Sequence, residues 1–342
     1  MKSIILSASD PGGANAVLPL VQPLSKKFDL HIILGGVGKG IFKKSGVKFI
    51  DGDRLGKMEL GRLIAKFHPD LFLAGSSFGH TVDKRILGLL KGKAKTIYIL
   101  DFWSNYWQRF SSNRIKDFKY LPDLICVMDD LAKREMIKEG FDSKILKVTG
   151  NPYFDSFSKK VGSRLEEKNR ILFVSQPYSS GEKEVATNFG YNELSSLADI
   201  MAVLKSFGSY KLVIRPHPKD NPKKFYKIIK ENKNFSLDND ADAGLSIAKA
   251  DIIVGMNSTM LLQAALAGKK VISYQPELTK SKDILISNKM GLSKLITDKV
   301  ELKGVMGNYF NGKNVNMVGK GRLEKFRLPR DATNKVLKLI KS

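Results

Sequence analysis

Cysteine is nearly absent: Cys126 stands alone in 342 residues, which excludes a disulfide framework and a thiolate-based zinc site. Apolar runs are short as well. None reaches the roughly 18 residues of a membrane span, and the best, Ile252 to Gly268, is interrupted by Asn257, Ser258, Thr259 and Gln263. The first apolar stretch, Ile4 to Leu6, runs straight into Ser7-Ala8-Ser9-Asp10, so no secretory leader is expected. A soluble, cytoplasmic protein is the expectation. A complete GxGxxG fingerprint, a Walker A loop, an HExxH helix and a nucleophile elbow are all missing. So are the signatures of a helix-turn-helix, an RNA-recognition motif and a zinc finger. Acidic residues are scarce beside basic ones, 34 against 58, giving a formal net charge of +24. With 42% hydrophobic and 27% charged residues the chain is nonetheless globular in composition. The excess charge points either to a polyanionic partner or to a lysine-rich composition with no role.

What is present is an alternation of strand-like and helix-like segments from end to end. Ser3–Ser9, Leu30–Gly36, Val47–Asp51, Leu71–Ala74, Thr96–Asp101 and Leu124–Met128 read as strands. Ala14–Phe28, Met58–Phe67, Thr81–Leu90 and Asp130–Glu139 carry helical spacing between them. A polar interval, Ser156–Arg170, reads as a linker. The pattern then restarts with strands at Ile171–Ser175, Lys211–Arg215, Ile252–Gly255 and Val271–Tyr274, and helices at Tyr191–Phe207, Phe225–Lys230 and Met260–Ala267. A last helix is expected over Asp331–Ile340. This is an α/β chain of two Rossmann-like domains facing across a cleft, the first spanning 1–155 and the second 156–330. Ligands of open α/β sheets bind beyond the carboxyl ends of the strands, so strand-end residues are the candidates for chemistry.

Four strand ends stand out. After the first strand come Asp10, Gly12 and Gly13: a glycine turn that brings backbone close to an anionic ligand, with Asp10 either the helix N-cap or a general base. After Lys211–Ile214 come Arg215, Pro216, His217 and Pro218, where flanking prolines hold an imidazole at the sheet edge. Arg215 can either fork toward a phosphate or pair with a carboxylate. After Ile252–Gly255, the run Asn257-Ser258-Thr259 opens a helix, forming an anion site or simply a capping turn. After Thr96–Leu100 come Asp101, Trp103, Asn105, Trp107 and Arg109. The aromatics are either a platform for the apolar face of a sugar or a packed stripe. His80, after Leu71–Ala74, falls at the same edge. Asp238, Asp240 and Asp242 read as capping or solvated residues in a loop, not as metal ligands.

The pairing of strand–His-Pro with strand–Asn-Ser-Thr–helix–Gly–strand resembles the C-terminal domain of GT-B-fold glycosyltransferases. Within that fold it is most similar to bacterial sialyltransferases, polysialyltransferases and related capsule enzymes with CMP-linked donors. The resemblance implies that His217, Pro218, Ser258 and Thr259 bind the donor's phosphate. Thr149-Gly150-Asn151-Pro152, with Asp155, is similar to the domain-junction segment of UDP-GlcNAc 2-epimerases, which share the fold. UDP-sugar enzymes of this fold place a glutamate on the ribose where this chain has Gln263, which moves the expected donor from UDP toward CMP or CDP. No counterpart of the sialyltransferases' acidic base motif is found, so Asp10 takes that role, with His80 and Asp101 as the other candidates. The fold resemblance also implies that the helix of residues 331–342 packs back on the first domain.

The expected activity is transfer of a sugar from a nucleotide-sugar to a glycan or lipid-linked acceptor, without an obligatory cofactor or metal; Mg²⁺ stays open as a companion of the substrate phosphates. The rival readings are a nucleotide-sugar 2-epimerase, a CDP-polyol phosphotransferase, and a basic protein that binds or modifies nucleic acid. Basic residues cluster at Lys26-Lys27, Lys43-Lys44, Lys91/Lys93/Lys95, Arg114/Lys116/Lys119 and Lys133-Arg134, and again at Lys313, Lys320, Arg322, Lys325, Arg327 and Arg330. Such a field suits an anionic membrane surface or an acidic glycan, with the protein peripheral on the inner face of the membrane.

Overall fold

A computed structural model describes residues 1–112, 115–160, 166–180, 190–218, 220–240, 242–278, 283–313 and 331–341. The chain forms two compact units, Met1–Ser156 with Leu328–Ser342, and Phe157–Arg327. Each is a parallel sheet flanked by helices, so the chain consists of two Rossmann-like α/β domains.

The sheet of unit 1 has seven strands: β1 (Ser3–Ala8), β2 (Asp29–Leu34), β3 (Ile50–Asp51), β4 (Leu71–Gly75), β5 (Lys95–Ile99), β6 (Leu124–Val127) and β7 (Leu146–Val148). Their order is β3-β2-β1-β4-β5-β6-β7. β1 and β4 are buried along their whole length, as expected of parallel strands covered on both faces. Ile4 and Leu6 share a core with Leu34, Phe42, Leu73, Ile97 and, from the far end of the sequence, Val336 and Ile340. Those last two belong to the helix Ala332–Lys341, which is tied down where Thr333 N–H donates to Asp155 (2.8 Å) and Lys95 Nζ to Leu339 O (2.9 Å).

The single helix expected over Ala14–Phe28 is in fact three pieces: Pro11–Val17, a 3₁₀ turn Leu18–Leu20, and Val21–Ser25. Pro19 and Pro23 each lack the N–H that a continuous helix needs. The first piece lies against β4. A Cβ on Gly75 would fall 2.3 Å from Gly13 O, so this approach requires glycine.

Unit 2 contains β8 (Arg170–Val174), β9 (Lys211–Arg215), β10 (Phe235–Leu237), β11 (Ile252–Gly255), β12 (Lys270–Tyr274) and β13 (Lys294–Ile296), in the order β10-β9-β8-β11-β12-β13. Ile171, Phe173, Val254 and Ile272 pack with Leu197 and Ile200 of the helix Glu193–Leu204 and with Leu302 and Met306 of the helix Lys299–Phe310. In both sheets the order reverses beside the first strand, between β1 and β4 and between β8 and β11.

The interval Ser156–Arg170 is not a plain linker. It begins inside the helix Pro152–Lys160 and ends on β8; residues 161–165 lie outside the described residues. Of the basic cluster positions, Arg114, Lys320, Arg322, Lys325, Arg327 and Arg330 also lie outside them.

Candidate active site

In unit 2 the polar side chains gather where the strand order reverses. β11 ends at Gly255, pressed against β8 so closely that a Cβ would stand 2.9 Å from Val174 O. Asn257 follows, 9% exposed. Its N–H donates to Gln176 Oε1 (3.1 Å) and its Oδ1 accepts from the Tyr178 hydroxyl. Burial pushes that hydroxyl's pKa up to about 12, against the opposing bonds to Asn257 and Gln176, so Tyr178 stays a proton donor. With Oδ1 committed, Asn257 Nδ2 is left buried and without a hydrogen-bond partner among the described residues. Leaving such a donor unmade costs about 1–3 kcal/mol, a penalty that a ligand oxygen would remove. Ser175, the first residue past β8, carries a second buried hydroxyl without a partner among the described residues.

Ser258 then caps the helix Thr259–Leu266, its Oγ accepting from Met260 N–H (3.2 Å). Thr259 is exposed at the first position, and Gln263 is half-buried one turn along. The residue with the orphaned amide immediately precedes this N-cap, at the positive end of the helix dipole, an arrangement suited to a phosphate oxygen. His217 is half-buried just past β9, between Pro216 and the exposed Pro218, and its carbonyl accepts from Asp220 N–H (2.8 Å).

Arg215 does not join this group. Its Nη1 donates to Asp238 Oδ2 (2.5 Å), Asp240 O (3.0 Å) and Ser246 Oγ (2.8 Å). The β9–β10 register explains it: Ile214 pairs with Leu237, so the next residues, Arg215 and Asp238, stand side by side. Asp238 is enclosed, which corrects the expectation of a solvated residue, while its Oδ1 does cap the turn by accepting from Asp240 N–H (3.2 Å). Asp240 pairs with Lys249 (2.9 Å), and Asp242 does cap a helix, accepting from Gly244 N–H (2.8 Å).

Unit 1 holds a second polar group at its own strand ends. Asp10 precedes the helix Pro11–Val17 yet makes no capping bond to it; its Oδ2 accepts from Phe78 N–H, past the end of β4 (2.8 Å). Asp101 lies against Gly12, where a Cβ would come within 1.9 Å of its Oδ2. Its Oδ1 accepts from Ser76 Oγ (2.6 Å) and pairs with Arg109. Burial holds the Asp101 pKa above the ordinary carboxylate value, against the pull of Arg109 and Ser76. The Arg109 guanidinium also stacks over the Phe78 ring, 4.3 Å from its centroid. Asp10, Gly12, Asp101 and Arg109 are therefore brought together, joined by Ser76 and Phe78. Gly13 serves the helix–strand contact with Gly75.

Three expectations at this edge are corrected. Trp103 is enclosed, 3% exposed, with Nε1 donating to Asp129 Oδ2 (2.7 Å), so it offers no face to a sugar. Arg109 is buried and committed to Asp101, which removes it from direct acceptor contact. Asp101 has its Oδ1 committed to Arg109 and Ser76 and its side chain only 10% exposed, which withdraws it from an acceptor hydroxyl. Trp107 is half-buried, while Asn105, in a left-handed turn, and His80 are exposed. A buried carboxylate escaped sequence reasoning: Asp83 accepts from Ser9 Oγ (2.6 Å) and Ser77 Oγ (2.7 Å), and burial raises its pKa. Its only sequence signal was a charge on the apolar face of a helix. Thr149-Gly150-Asn151 follows β7, and Asn151 Oδ1 accepts from Tyr153 N–H (3.0 Å). No group of three or more His, Cys, Asp or Glu among the described residues could hold a metal ion. Nor is any helix among them long and apolar enough to cross a membrane.

Residues 103–275 match the alpha-2,8-polysialyltransferase (POLYST) family. No curated protein matches the chain in sequence. Among solved structures, UDP-GlcNAc 2-epimerase from Methanocaldococcus jannaschii is similar with a TM-score of 0.72 at 16% identity, covering 100% of both chains. UDP-GlcNAc 2-epimerase from Neisseria meningitidis, bound to UDP-GlcNAc, gives 0.70 at 14% identity, again over 100% of both. At such identities the likeness is one of fold. Both resemblances carried by the short motifs are borne out, the first as a family match and the second as a shared architecture.

Proposed function

Because the chain belongs to the alpha-2,8-polysialyltransferase family, we propose that this glycosyltransferase moves a sugar from a CMP-linked donor to a hydroxyl of a surface glycan or lipid-linked acceptor. The orphaned Asn257 amide at the mouth of a helix is the observation that carries the donor site. In this reading Asn257, Ser258, Thr259 and His217 take the donor's phosphate and stabilise its charge as the bond to the anomeric carbon breaks. No cofactor is called for, since these donors meet the charge of the leaving nucleotide. Asp10 receives the proton of the acceptor hydroxyl as its oxygen joins the anomeric carbon. The net charge of +24 supports an acidic glycan or an anionic membrane surface as the setting of the acceptor.

A thermal-shift panel of CMP, CDP, UDP, GDP and TDP tests the donor, since a ligand of the native state raises the transition by mass action. CMP is expected to give the largest shift, and Asn257→Ala to weaken it by about 1.5–3 kcal/mol, the worth of a hydrogen bond to a charged group. A shift with UDP alone would overturn the CMP assignment. Release of free sugar with no acceptor present would replace transfer with a hydrolysing epimerase.

A further inference from the structure

The two sides of the donor-phosphate site hang on strands that do not touch. His217 follows β9 and Asn257 follows β11, and β8 lies between them in the sheet. A continuous path of side chains nevertheless joins the two. Asn257 Oδ1 accepts from Tyr178, and the next residue, Ser179, donates to Glu193 through N–H (3.0 Å) and through Oγ. The Glu193 carboxylate pairs with Lys224, which also pairs with Asp220 (2.6 Å). Asp220 N–H closes the path on the His217 carbonyl (2.8 Å). Glu193 and Asp220 are almost wholly enclosed, and Lys224 is 19% exposed, so solvent hardly loosens these pairs. Burial alone would raise the Glu193 pKa, but Lys224 and Ser179 outweigh it and hold the group below its ordinary value, ionised.

We propose that Glu193 and Lys224 are positioning residues that fix the span between His217 and Asn257, so that both reach one phosphate of the donor. This rests on the donor-site reading above. Neither touches the phosphate; they act through the Tyr178–Ser179 and His217–Asp220 segments. In this path the pair joins the loop after β8 to the loop after β9. Cutting it leaves both loops in place and removes this path's hold on the span between His217 and Asn257.

Lys224→Met alone would strand the enclosed carboxylates of Glu193 and Asp220, so the test uses Glu193→Gln/Asp220→Asn/Lys224→Met. The glutamine still accepts from Ser179, the Asp220→Asn change keeps the backbone N–H that meets the His217 carbonyl, and no charge of the path is left unpaired. The triple variant is expected to keep the wild-type far-UV spectrum while binding CMP at least about tenfold more weakly. The His217→Ala change is then measured in both backgrounds. It should weaken CMP binding in the wild-type protein and add little in the triple variant, a coupling that a purely structural pair would not produce. Lys224→Arg, which preserves the ion pair, should restore affinity. An equal His217→Ala effect in both backgrounds overturns the positioning role and leaves the donor site standing. No His217→Ala effect in the wild-type background overturns the donor-site reading itself.

Discussion

Asp10 occupies a helix-cap position, but its carboxylate turns across the sheet edge to the Phe78 N–H and leaves its own helix uncapped. A pure cap would be served equally by asparagine. As a general base, Asp10→Asn should lower turnover about 10²–10⁴-fold while nucleotide affinity holds, which initial rates beside calorimetric CMP titration would show. Asp83 calls for a different measurement. Its folded-state pKa is raised by burial, which outweighs the hydroxyls of Ser9, Ser77 and Thr81 and a backbone N–H, so folding favours its protonated form. Below the ordinary carboxylate range the group carries no penalty; as pH rises past that range, stability is lost until the displaced pKa is passed. Asp83→Asn should therefore raise the melting temperature at neutral pH, the gain shrinking as pH falls toward the ordinary carboxylate range. A melting temperature unchanged or lowered at neutral pH would contradict this. Which strand-end residues belong to the proposed donor site was only half legible in the sequence. Position alone marked His217 and Asn257, but it also marked Arg215 and Trp103, whose partners Asp238 and Asp129 come from the ends of neighbouring strands. Glu193 and Lys224 sit 31 residues apart with no local pattern to join them.

Among the elements, those with continuous apolar runs between strong breakers were readable. Lys211–Arg215 and Ile252–Gly255 were placed to the residue, the first stopped by Pro216 and the second followed by Asn257. β7, β10 and β13 escaped because each is three residues long with only part of that length buried, too short for any period to register. The contact between the helix Pro11–Val17 and β4 depends on two glycines that composition does not single out. Gly75→Ala would drive a methyl group into the Gly13 carbonyl, which is backbone and cannot rotate away. Overpacking of this kind is expected to destabilise by about 1–3 kcal/mol or more, read as a lower midpoint in urea. Gly61→Ala, where nothing stands within 4 Å of the added carbon, should not lower that midpoint.

For the whole molecule, the charge of +24 predicts salt-sensitive attraction to polyanions. Co-sedimentation with anionic vesicles at low salt, released at high salt and absent with neutral vesicles, is the expected result. Binding to duplex DNA but not to vesicles or acidic glycan would instead favour a nucleic-acid partner. The helix Ala332–Lys341 has another consequence, one that concerns birth rather than catalysis. A ribosome delivers the chain from its amino end, so the strands of unit 1 emerge before unit 2, yet the residues that close their core, Val336 and Ile340, follow only after it. Unit 2 is continuous from Phe157 to Arg327, and β8 to β13 lie within that span. The later unit can therefore complete its core during translation while the earlier one waits, part of its apolar surface still wet, until residues 332–341 have followed it out.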